Sequence, residues 1–329
     1  MELFRQILSF DSTSGSERPL GEWLAAHLEA PSVQTFEVGD GTVNLLLSWG
    51  RPRVVFCSHM DTVPPYIPPT FLADRVLGRG TCDAKGQFYS MYKACRQLEA
   101  EGLDGFGLLV LSGEETGSWG AKAFSRLPFS APLLVVGEPT GNRMVSASKG
   151  TKSFDLRFSG IPFHSGYPQY GVSAVEEFVS LMNALREADF PSDPELGPTT
   201  WNVGLLSSPN PQNILSPELT CRLYFRTTFA SDEAVTAWMR SRASARLEVT
   251  GRGGDAPARY FTLPGFPSAP VSFGSDAPHL TGFARKIICG PGSVTVAHRD
   301  DEFLSLADFR AAVDIYVRIF KQFSNESSN

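Results

Sequence analysis

The chain has 329 residues, of which 42% are hydrophobic and 19% are charged, a composition typical of a globular protein long enough for two domains. Its formal net charge is -6 at pH 7 with no basic run, which argues against nucleic-acid binding because that needs a clustered positive surface. The first residues lack the pattern of a signal peptide, and no apolar run approaches the length of a membrane span. The five cysteines are widely spaced and form no CxxC pair, so we expect reduced thiols and a cytosolic location.

The first half of the chain alternates helix-like and strand-like segments. Two helices around a polar turn are predicted within residues 2–30, because apolar residues recur there at helical spacing. Four prolines within residues 64–70 predict a rigid, non-helical loop. Further helices are predicted at 87–102 and 119–127, and strands at 42–49, 53–57, 106–111 and 133–136. This alternation predicts an α/β fold with a central sheet flanked by helices, whose functional site lies at the carboxyl ends of the strands.

From about residue 149 the pattern changes to that of a small α+β unit. Strand, helix, strand, strand, helix and strand are predicted in that order at 152–158, 172–187, 201–206, 219–227, 231–243 and 245–250. This order is typical of a ferredoxin-like unit. We therefore predict one domain from residues 1–148 and 254–329, which ends in a helix, and a second domain inserted in it at residues 149–253.

One carboxylate, Asp83, stands in a glycine-bounded loop, residues 78–86, just before a predicted helix. Other polar clusters follow strand-like runs where those runs end, and one more lies near the C-terminus. These clusters are residues 58–64, 112–117, 136–140 and 296–302. Because the carboxyl ends of strands meet at one edge of such a sheet, we interpret Asp83 as an acid shared by two metal ions, with the other clusters supplying the remaining ligands.

Taken one at a time, these residues have simpler explanations. The pair Glu114 and Glu115 alone is typical of a solvated helix start, and His298, among charged neighbours, of a surface residue. His27 is predicted to be an ordinary helix residue. His279, in a Ser-Asp-Ala-Pro-His segment, is ambiguous between a structural role and a contact with substrate. The hypothesis of a metal site therefore depends on the clusters occurring together.

The clusters occur in a recognisable order: His-x-Asp-x-Val-Pro at 59–64, Gly-Arg-Gly-x-x-Asp-x-Lys-Gly at 78–86, Gly-Glu-Glu at 113–115 and Gly-Glu-Pro-Thr at 137–140. Together they resemble the M20 family of dinuclear zinc amidohydrolases and exopeptidases, and the resemblance covers nearly the whole chain. It implies a zinc-exopeptidase-like central sheet flanked by helices, with an inserted α+β ferredoxin-like lid or dimerisation domain.

The resemblance also implies a ligand set for two zinc ions. His59, Asp83 and Glu138 would hold one ion, and Asp83, Glu115 and His298 the other. Imidazole and carboxylate ligands without thiolate suit zinc and keep it Lewis acidic. Cobalt or manganese would accept the same ligands.

Two further residues receive catalytic roles from the resemblance. Asp61 would hydrogen-bond to His59 and fix its tautomer, and Glu114 would be the general base. Since the ligand count is then full, Cys57 and Cys82 are predicted to pack in or near the core rather than to bind metal.

The inserted domain carries three residues that match positions acting on substrate in the family. His164 would stabilise the tetrahedral oxyanion, and in dimeric relatives this histidine reaches the active site of the partner. Asn213 and Arg226 match substrate-binding positions, and Arg226 would pair with a substrate α-carboxylate. The resemblance therefore implies a homodimer formed through the lid domain.

The sequence departs from the family pattern in two places. Tyr224 replaces an Asp that often stands two residues before the arginine, and the stretch 254–274 is short and too proline-rich within 258–271 to form the helix found in larger relatives. These departures leave the ligands unaltered but affect any transfer of substrate specificity.

The leading functional hypothesis is a di-zinc amidohydrolase that removes an acyl group from an N-acyl amino acid, with acetylornithine deacetylation in arginine biosynthesis as first choice. The alternative is a carboxypeptidase or dipeptidase that uses the same site on short peptides. A non-catalytic, metal-stabilised binding protein is a remote alternative, and a two-metal phosphohydrolase is disfavoured because no phosphate-cradling loop is present. The expected partner is a small molecule, with neither nucleic acid nor membrane involved.

Overall fold

A computed structural model of the protein describes residues 1–39 and 41–326. The chain divides into two compact units, each described separately below. The first unit comprises Met1–Ser146, Tyr260–Ala269 and Ser275–Asn329, and the second comprises Ala147–Arg259 and Pro270–Gly274.

The described residues form the following helices and strands. The α-helices are α1 (Glu2–Leu8), α2 (Arg18–His27), α3 (Lys85–Ala100), α4 (Trp119–Phe124), α5 (Ala174–Arg186), α6 (Asp232–Ser241) and α7 (Leu306–Glu326). The strands are β1 (Ser32–Gly39), β2 (Thr42–Trp49), β3 (Val54–His59), β4 (Thr70–Phe71), β5 (Arg75–Leu77), β6 (Phe106–Leu111), β7 (Ala131–Val136), β8 (Met144–Ser148), β9 (Gly150–Ser159), β10 (Thr200–Ser207), β11 (Glu218–Thr227), β12 (Leu247–Gly253), β13 (Ala258–Arg259), β14 (Ser268–Val271), β15 (Phe283–Ile288) and β16 (Phe303–Ser305). Short 3-10 turns occur at Pro168–Tyr170 and Ala277–His279.

The first unit is built on a mixed sheet whose strands, in the described part of the chain, lie in the order β1-β2-β6-β3-β7-β15. The pairs β6–β3, β3–β7 and β7–β15 are parallel, whereas β1–β2 and β2–β6 are antiparallel. The central parallel strands β3 and β6 are buried along their whole length, as expected of strands covered on both faces. The carboxyl ends of β6, β3 and β7 therefore lie side by side at one edge of the sheet.

Long amphipathic helices complete the core of this unit. Helix α3 packs against β3, β6 and α7. Their apolar side chains belong to one hydrophobic cluster with those of the sheet, in which Phe88, Phe106 and Tyr316 are almost completely buried. A small sheet in the order β16-β5-β4 belongs to the same unit.

The second unit contains an antiparallel sheet in the order β10-β11-β9-β12. Burial alternates along β11, which is typical of a sheet with one covered face. The buried face includes Phe154, Leu223 and Phe225 and packs with residues of α5 and α6. The chain order β9-α5-β10-β11-α6-β12 is the one the sequence predicts for this part.

Most predicted elements are confirmed to within a few residues, and the predicted absence of a helix between residues 258 and 271 is also correct. Strand β1 is missed because its residues alternate between exposed and half-buried, with no apolar run to mark them. The second unit runs from Ala147 to Arg259 and also includes Pro270–Gly274, whereas the predicted limits are residues 149 and 253. Among the described residues, no helix is long and apolar enough to cross a membrane.

Candidate active site

The site lies where the parallel strands end. His59 is the last residue of β3, and Glu114 and Glu115 follow the end of β6. Glu138 stands two residues beyond the end of β7. Because β3 pairs with both β6 and β7, the topology alone brings these side chains to one edge of the sheet.

Asp83 reaches the same place from the loop between β5 and α3. The loop can close tightly because Gly86 lacks a side chain: a Cβ there would lie 2.0 Å from the main-chain oxygen of Thr81. One carboxylate oxygen of Asp83, Oδ1, lies 3.1 Å from Nε2 of His59, and the other, Oδ2, lies 3.3 Å from Nε2 of His298. Nε2 of His298 is also 2.9 Å from Oε1 of Glu115. Asp83 thus bridges two histidines, and these contacts link four of the five predicted ligands.

This arrangement fits a divalent metal ion. One ligand atom from each of His59, Asp83 and Glu115 lies within 4.8 Å of the others. Two atoms bound at about 2.1 Å to a tetrahedral zinc ion are about 3.4 Å apart, close to the spacing of the His59–Asp83 and His298–Asp83 contacts. Glu138, the remaining predicted ligand, is buried and its Oε1 has no hydrogen-bond partner. A buried carboxylate oxygen without a partner is costly, and a cation would satisfy it.

Asp61 fixes the orientation of its neighbours in this cluster through hydrogen bonds. The Nδ1 atom of His59 lies 3.0 Å from the main-chain oxygen of Asp61 and 3.3 Å from its Oδ1, so Nδ1 donates and Nε2 is directed toward Asp83. The same carboxylate accepts the backbone N–H groups of Glu114 at 3.0 Å and Glu115 at 3.1 Å, and the hydroxyl of Ser14 at 2.8 Å. One fully buried acid therefore orients a histidine and the adjacent glutamates together.

The histidines of the cluster favour a proton because carboxylates surround them. Burial opposes a charge on His59, but its hydrogen bonds to Asp61 and Asp83 outweigh burial and raise the pKa of the ring well above its usual value. Hydrogen bonds to Asp83 and Glu115 raise the pKa of His298 to about 10. Burial acts to raise the pKa of Asp83, yet the hydrogen bonds from both histidines outweigh it and hold that pKa below its usual value.

Two other acids, Glu114 and Glu138, have a raised pKa, in contrast to Asp83. Burial raises the pKa of Glu114 well above its ordinary value; the charge of His59 opposes this effect, and nearby carboxylates, Asp276 first among them, add to it. Burial also raises the pKa of Glu138 well above its ordinary value, with the charge of Glu114 adding to it. A glutamate with a raised pKa beside electrophile-binding groups is suited to accept and return a proton.

Comparison with known proteins identifies the chain. The model of peptidase family M20/M25/M40 matches residues 55–322. The chain belongs to this family. The resemblance predicted from the sequence is therefore confirmed, and the protein is an M20 family hydrolase.

Relatives of this M20 hydrolase include a probable carboxypeptidase of Uncinocarpus reesii, 30% identical over 98% of this chain and 86% of the relative. Among solved structures, a tripeptidase from Staphylococcus aureus has a TM-score of 0.78 at 18% identity and covers 96% of both chains. The aminopeptidase PepT from Bacillus cereus has a TM-score of 0.75 at 21% identity, over 96% of this chain and 95% of that one. At these identities the structural likeness shows the shared fold.

Three more acids take part in the site of the M20 hydrolase, although the sequence alone assigned them no role. The carboxylate of the fully buried Glu17 accepts the N–H of Gly113 at 3.1 Å and that of Gly15 at 2.7 Å, so it holds the start of the Glu114 loop. Asp276 is buried with one oxygen unpartnered, and burial raises its pKa to about 6. Glu302 holds the Asp83 loop, as described below. The sequence held signals that could have pointed to them. Glu17 stands just before helix α2, and Asp276 and Glu302 lie inside segments already singled out.

The predicted substrate residues lie in the second unit. The chain segments of His164 and Asn213 run side by side there, since the main-chain N–H of Ser165 donates to the main-chain oxygen of Asn213 at 2.9 Å. Nδ1 of His164 accepts the N–H of Gly166 at 3.1 Å, so the neutral ring carries its proton on Nε2 and can donate it. Arg226 lies on β11, with its guanidinium 5.1 Å from the centre of the Tyr224 ring.

His27, Cys57 and Cys82 have structural surroundings, whereas both interpretations of His279 stay predictions. His27 ends α2, and its ring stacks on Trp23. The main-chain oxygen of His279 accepts the hydroxyl of Ser125 at 2.6 Å. Cys57 and Cys82 are buried free thiols whose pKa burial raises well above the usual value. These positions agree with the packing role predicted for the two cysteines.

Proposed function

We propose that this protein is a metal-dependent exopeptidase that removes the C-terminal amino acid from a short peptide. The observation that carries the proposal is the contact set of His59, Asp83, Glu115 and His298 at the carboxyl edge of the sheet, with Glu114 beside it. The probable carboxypeptidase that is 30% identical over 98% of this chain supports the choice of substrate class. The cleaved bond is an amide whose leaving group is an amino acid with a free α-carboxylate.

Two divalent ions belong to this proposal, with zinc as first choice and cobalt or manganese as substitutes. His59, Asp83 and Glu138 would hold one ion, and Asp83, Glu115 and His298 the other. When bound, such ions supply Lewis acidity that polarises an amide carbonyl and lowers the pKa of water. Glu138 is included because a cation would satisfy its buried, unpartnered oxygen.

Glu114 performs the proton transfers in this proposal. Its carboxylate takes a proton from the attacking water and later delivers that proton to the nitrogen of the leaving amino acid. The raised pKa of Glu114 favours both steps, since the group must be basic enough to accept the proton and acidic enough to return it. Asp61 keeps Glu114 in place by accepting its backbone N–H.

The second unit supplies the groups that recognise substrate. His164 donates its Nε2 proton to the oxyanion, Arg226 pairs with the α-carboxylate, and Asn213 contributes a further hydrogen bond. Because the loop around His164 exposes apolar side chains, among them Phe163 and Tyr170, we also propose that this unit forms a homodimer. Light scattering of the purified protein measures the oligomeric state, and a monomer at all concentrations contradicts this part.

Removal of an acyl group from an N-acyl amino acid is the second candidate. It breaks the same kind of bond and releases the same kind of product, so the site described above serves it equally. Acetylornithine, the substrate first predicted, and a place in arginine biosynthesis are not supported by the three relatives described above, which are named as a probable carboxypeptidase, a tripeptidase and an aminopeptidase.

A cytosolic location is proposed from the thiols. All five cysteines are buried and free, whereas proteins of oxidising compartments commonly pair them. Fractionation of the source cells with an antibody against the protein tests this location.

A substrate panel separates the two functions. Purified protein, loaded with Zn²⁺ or Co²⁺, is assayed on dipeptides, tripeptides, N-acetylornithine, N-succinyl-diaminopimelate and other N-acyl amino acids. Each peptide is used in three forms: free at both ends, acetylated at the N-terminus, and amidated at the C-terminus. A carboxypeptidase cleaves the first two forms and not the third.

Other results identify the alternatives. Cleavage only of peptides with a free N-terminus indicates an aminopeptidase or dipeptidase, and cleavage only of short acyl groups indicates the deacylase. Full metal occupancy without turnover of any amide contradicts the proposal and favours a metal-stabilised binding protein. Chelator-treated protein serves as the control, because its activity should be lost and return with added metal.

A further inference from the structure

Arg79 and Glu302 form an ion pair in the interior of the first unit. Nη1 of Arg79 lies 2.7 Å from Oε2 of Glu302, and both side chains are almost completely inaccessible to solvent. Arg79 belongs to the Gly-Arg-Gly segment before Asp83, and Glu302 follows His298 by four residues. The pair therefore joins the two loops that carry proposed ligands, although neither residue is a ligand itself.

Glu302 holds the loop of Asp83 through backbone hydrogen bonds. Its Oε1 accepts the N–H of Cys82 at 3.0 Å and that of Asp83 at 3.1 Å. Its main-chain oxygen accepts the N–H of Gly78 at 2.9 Å, where the loop begins. One residue thus fixes the loop at its start and at the ligand, and the carboxylate of Asp83 remains directed toward the histidines.

Arg79 holds the loop of His298. Its Nη1 also donates to the main-chain oxygen of Arg299 at 3.1 Å, and its Nε donates to that of Pro65 at 3.3 Å. His298 needs such an anchor, because its side chain is 49% exposed and its φ of 64° lies in the left-handed region that non-glycine residues seldom adopt. Little side-chain packing fixes this residue, so the main chain beside it must.

We propose that Arg79 and Glu302 are positioning residues, a clamp that sets the distance between Asp83 and His298 and thereby the affinity of the site for metal. The proposal rests on the proposed function, in which Asp83 and His298 share an ion. A buried ion pair is by itself weak evidence for a role in stability, since apolar residues often replace one at no cost. Its hydrogen bonds to both ligand loops favour a role in positioning instead.

Two variants separate the halves of the clamp. Glu302→Gln retains the size of the side chain and one oxygen that can accept a backbone N–H, but removes the charge that faces Arg79. Arg79→Lys retains a positive charge, yet a single ammonium group cannot serve Glu302, Arg299 and Pro65 together. Asp232→Asn is the matched control: it removes a partly buried ion pair with Lys152 in the second unit, away from the ligand loops.

The measurement is metal affinity, followed in metal-free protein by competition with a chromophoric chelator for Zn²⁺ and by the visible absorption of bound Co²⁺. Loss of a residue that orients ligands typically weakens metal binding by about 10–100-fold. Glu302→Gln should lower the affinity for both ions by that amount, because both ions use Asp83 as a ligand. Arg79→Lys should lower mainly the affinity for one ion, since only one ion uses His298. Excess Zn²⁺ should restore kcat in both variants, and the Asp232→Asn control should bind both ions as the wild type does.

Three results overturn the clamp. The first is unchanged affinity for both ions in a variant whose thermal stability has fallen, which indicates a structural role alone. The second is an equal loss of affinity in the Asp232→Asn control. The third is a wild-type chain that binds no metal. If Glu302→Gln fails to fold, Arg79→Lys decides alone. Because affinity is measured without substrate, a wild type that binds two ions and hydrolyses nothing contradicts the proposed function and still allows the clamp to be tested.

Discussion

The ligand cluster of the first unit and the His164 loop of the second unit differ in how firmly the chain holds them. His59, Asp83 and Glu138 are buried, and acids such as Asp61 accept the backbone N–H groups of the neighbouring loops. His164, in contrast, lies in a ten-residue run, 161–170, in which every residue is exposed. The first region has its geometry set by its own unit. The second is exposed to solvent, so the role proposed for it depends on a substrate or a second chain.

The largest expected effect comes from the firmly held region. Glu114→Gln removes the proton acceptor and leaves the proposed ligands in place, since Asp61 still accepts the backbone N–H of residue 114. We expect kcat to fall by about 10³–10⁴-fold, the upper range for loss of a general base. Metal content, measured by atomic emission on the same sample, should remain that of the wild type. Activity within ten-fold of the wild type contradicts the assignment of Glu114, and loss of metal shows that Glu114 is itself a ligand.

His164→Ala tests the exposed region. Removing an oxyanion donor typically lowers kcat by about 10²–10³-fold, and neither metal affinity nor thermal stability should change, because this side chain is exposed. Mixing this variant with Glu114→Gln shows where the histidine acts. If it acts on the partner of a homodimer, each mixed dimer regains one complete site and activity returns. If it acts within its own chain, mixing restores nothing. A kcat unchanged by His164→Ala removes the residue from the mechanism.

The same contrast explains what the sequence could predict. The fold and the meeting of His59 and Glu115 followed from strand ends in a parallel sheet, where position along the chain fixes position in space, whereas Asp83 and His298 were placed in the ligand set through the family resemblance. The acids that support them, Glu17 and Glu302, were not assigned roles because an acid before a helix or inside a motif does not reveal, in one sequence, that it is buried and accepts backbone N–H groups. Strand β1 was missed because it carries no apolar run.

The next effect in size is the pH dependence of metal affinity, because protons and metal compete for the same side chains. His298 has a pKa raised to about 10 by Asp83 and Glu115, and burial raises the pKa of Glu138 well above its ordinary value. Metal-free protein therefore holds a proton on His298 at pH 7, and metal binding must release it, while the raised pKa of Glu138 acts in the same direction. Affinity should increase with pH up to about 10, roughly ten-fold per pH unit for each proton released. Chelator competition at pH 6 and pH 8, corrected for the chelator, measures this slope. A flat profile contradicts the participation of His298 as a ligand.

The smallest expected effect concerns Arg226. Burial lowers the pKa of Lys149, and the nearby positive charge of Arg226 lowers it further. Two neighbouring cations favour an anionic group of the substrate, so Arg226→Met should raise KM for a peptide with a free C-terminus by about 10–100-fold, the range for lost hydrogen bonds to a charged group. Arg222→Met is the matched control, because Arg222 points from the same face of β11 but is already paired with Asp155 at 2.7 Å. It should leave KM unchanged.

The decisive comparison is a C-terminal amide, which lacks the charge: wild type and Arg226→Met should then bind it equally poorly. If the substitution weakens acid and amide alike, Arg226 contributes structure rather than recognition, and the free α-carboxylate must be bound elsewhere.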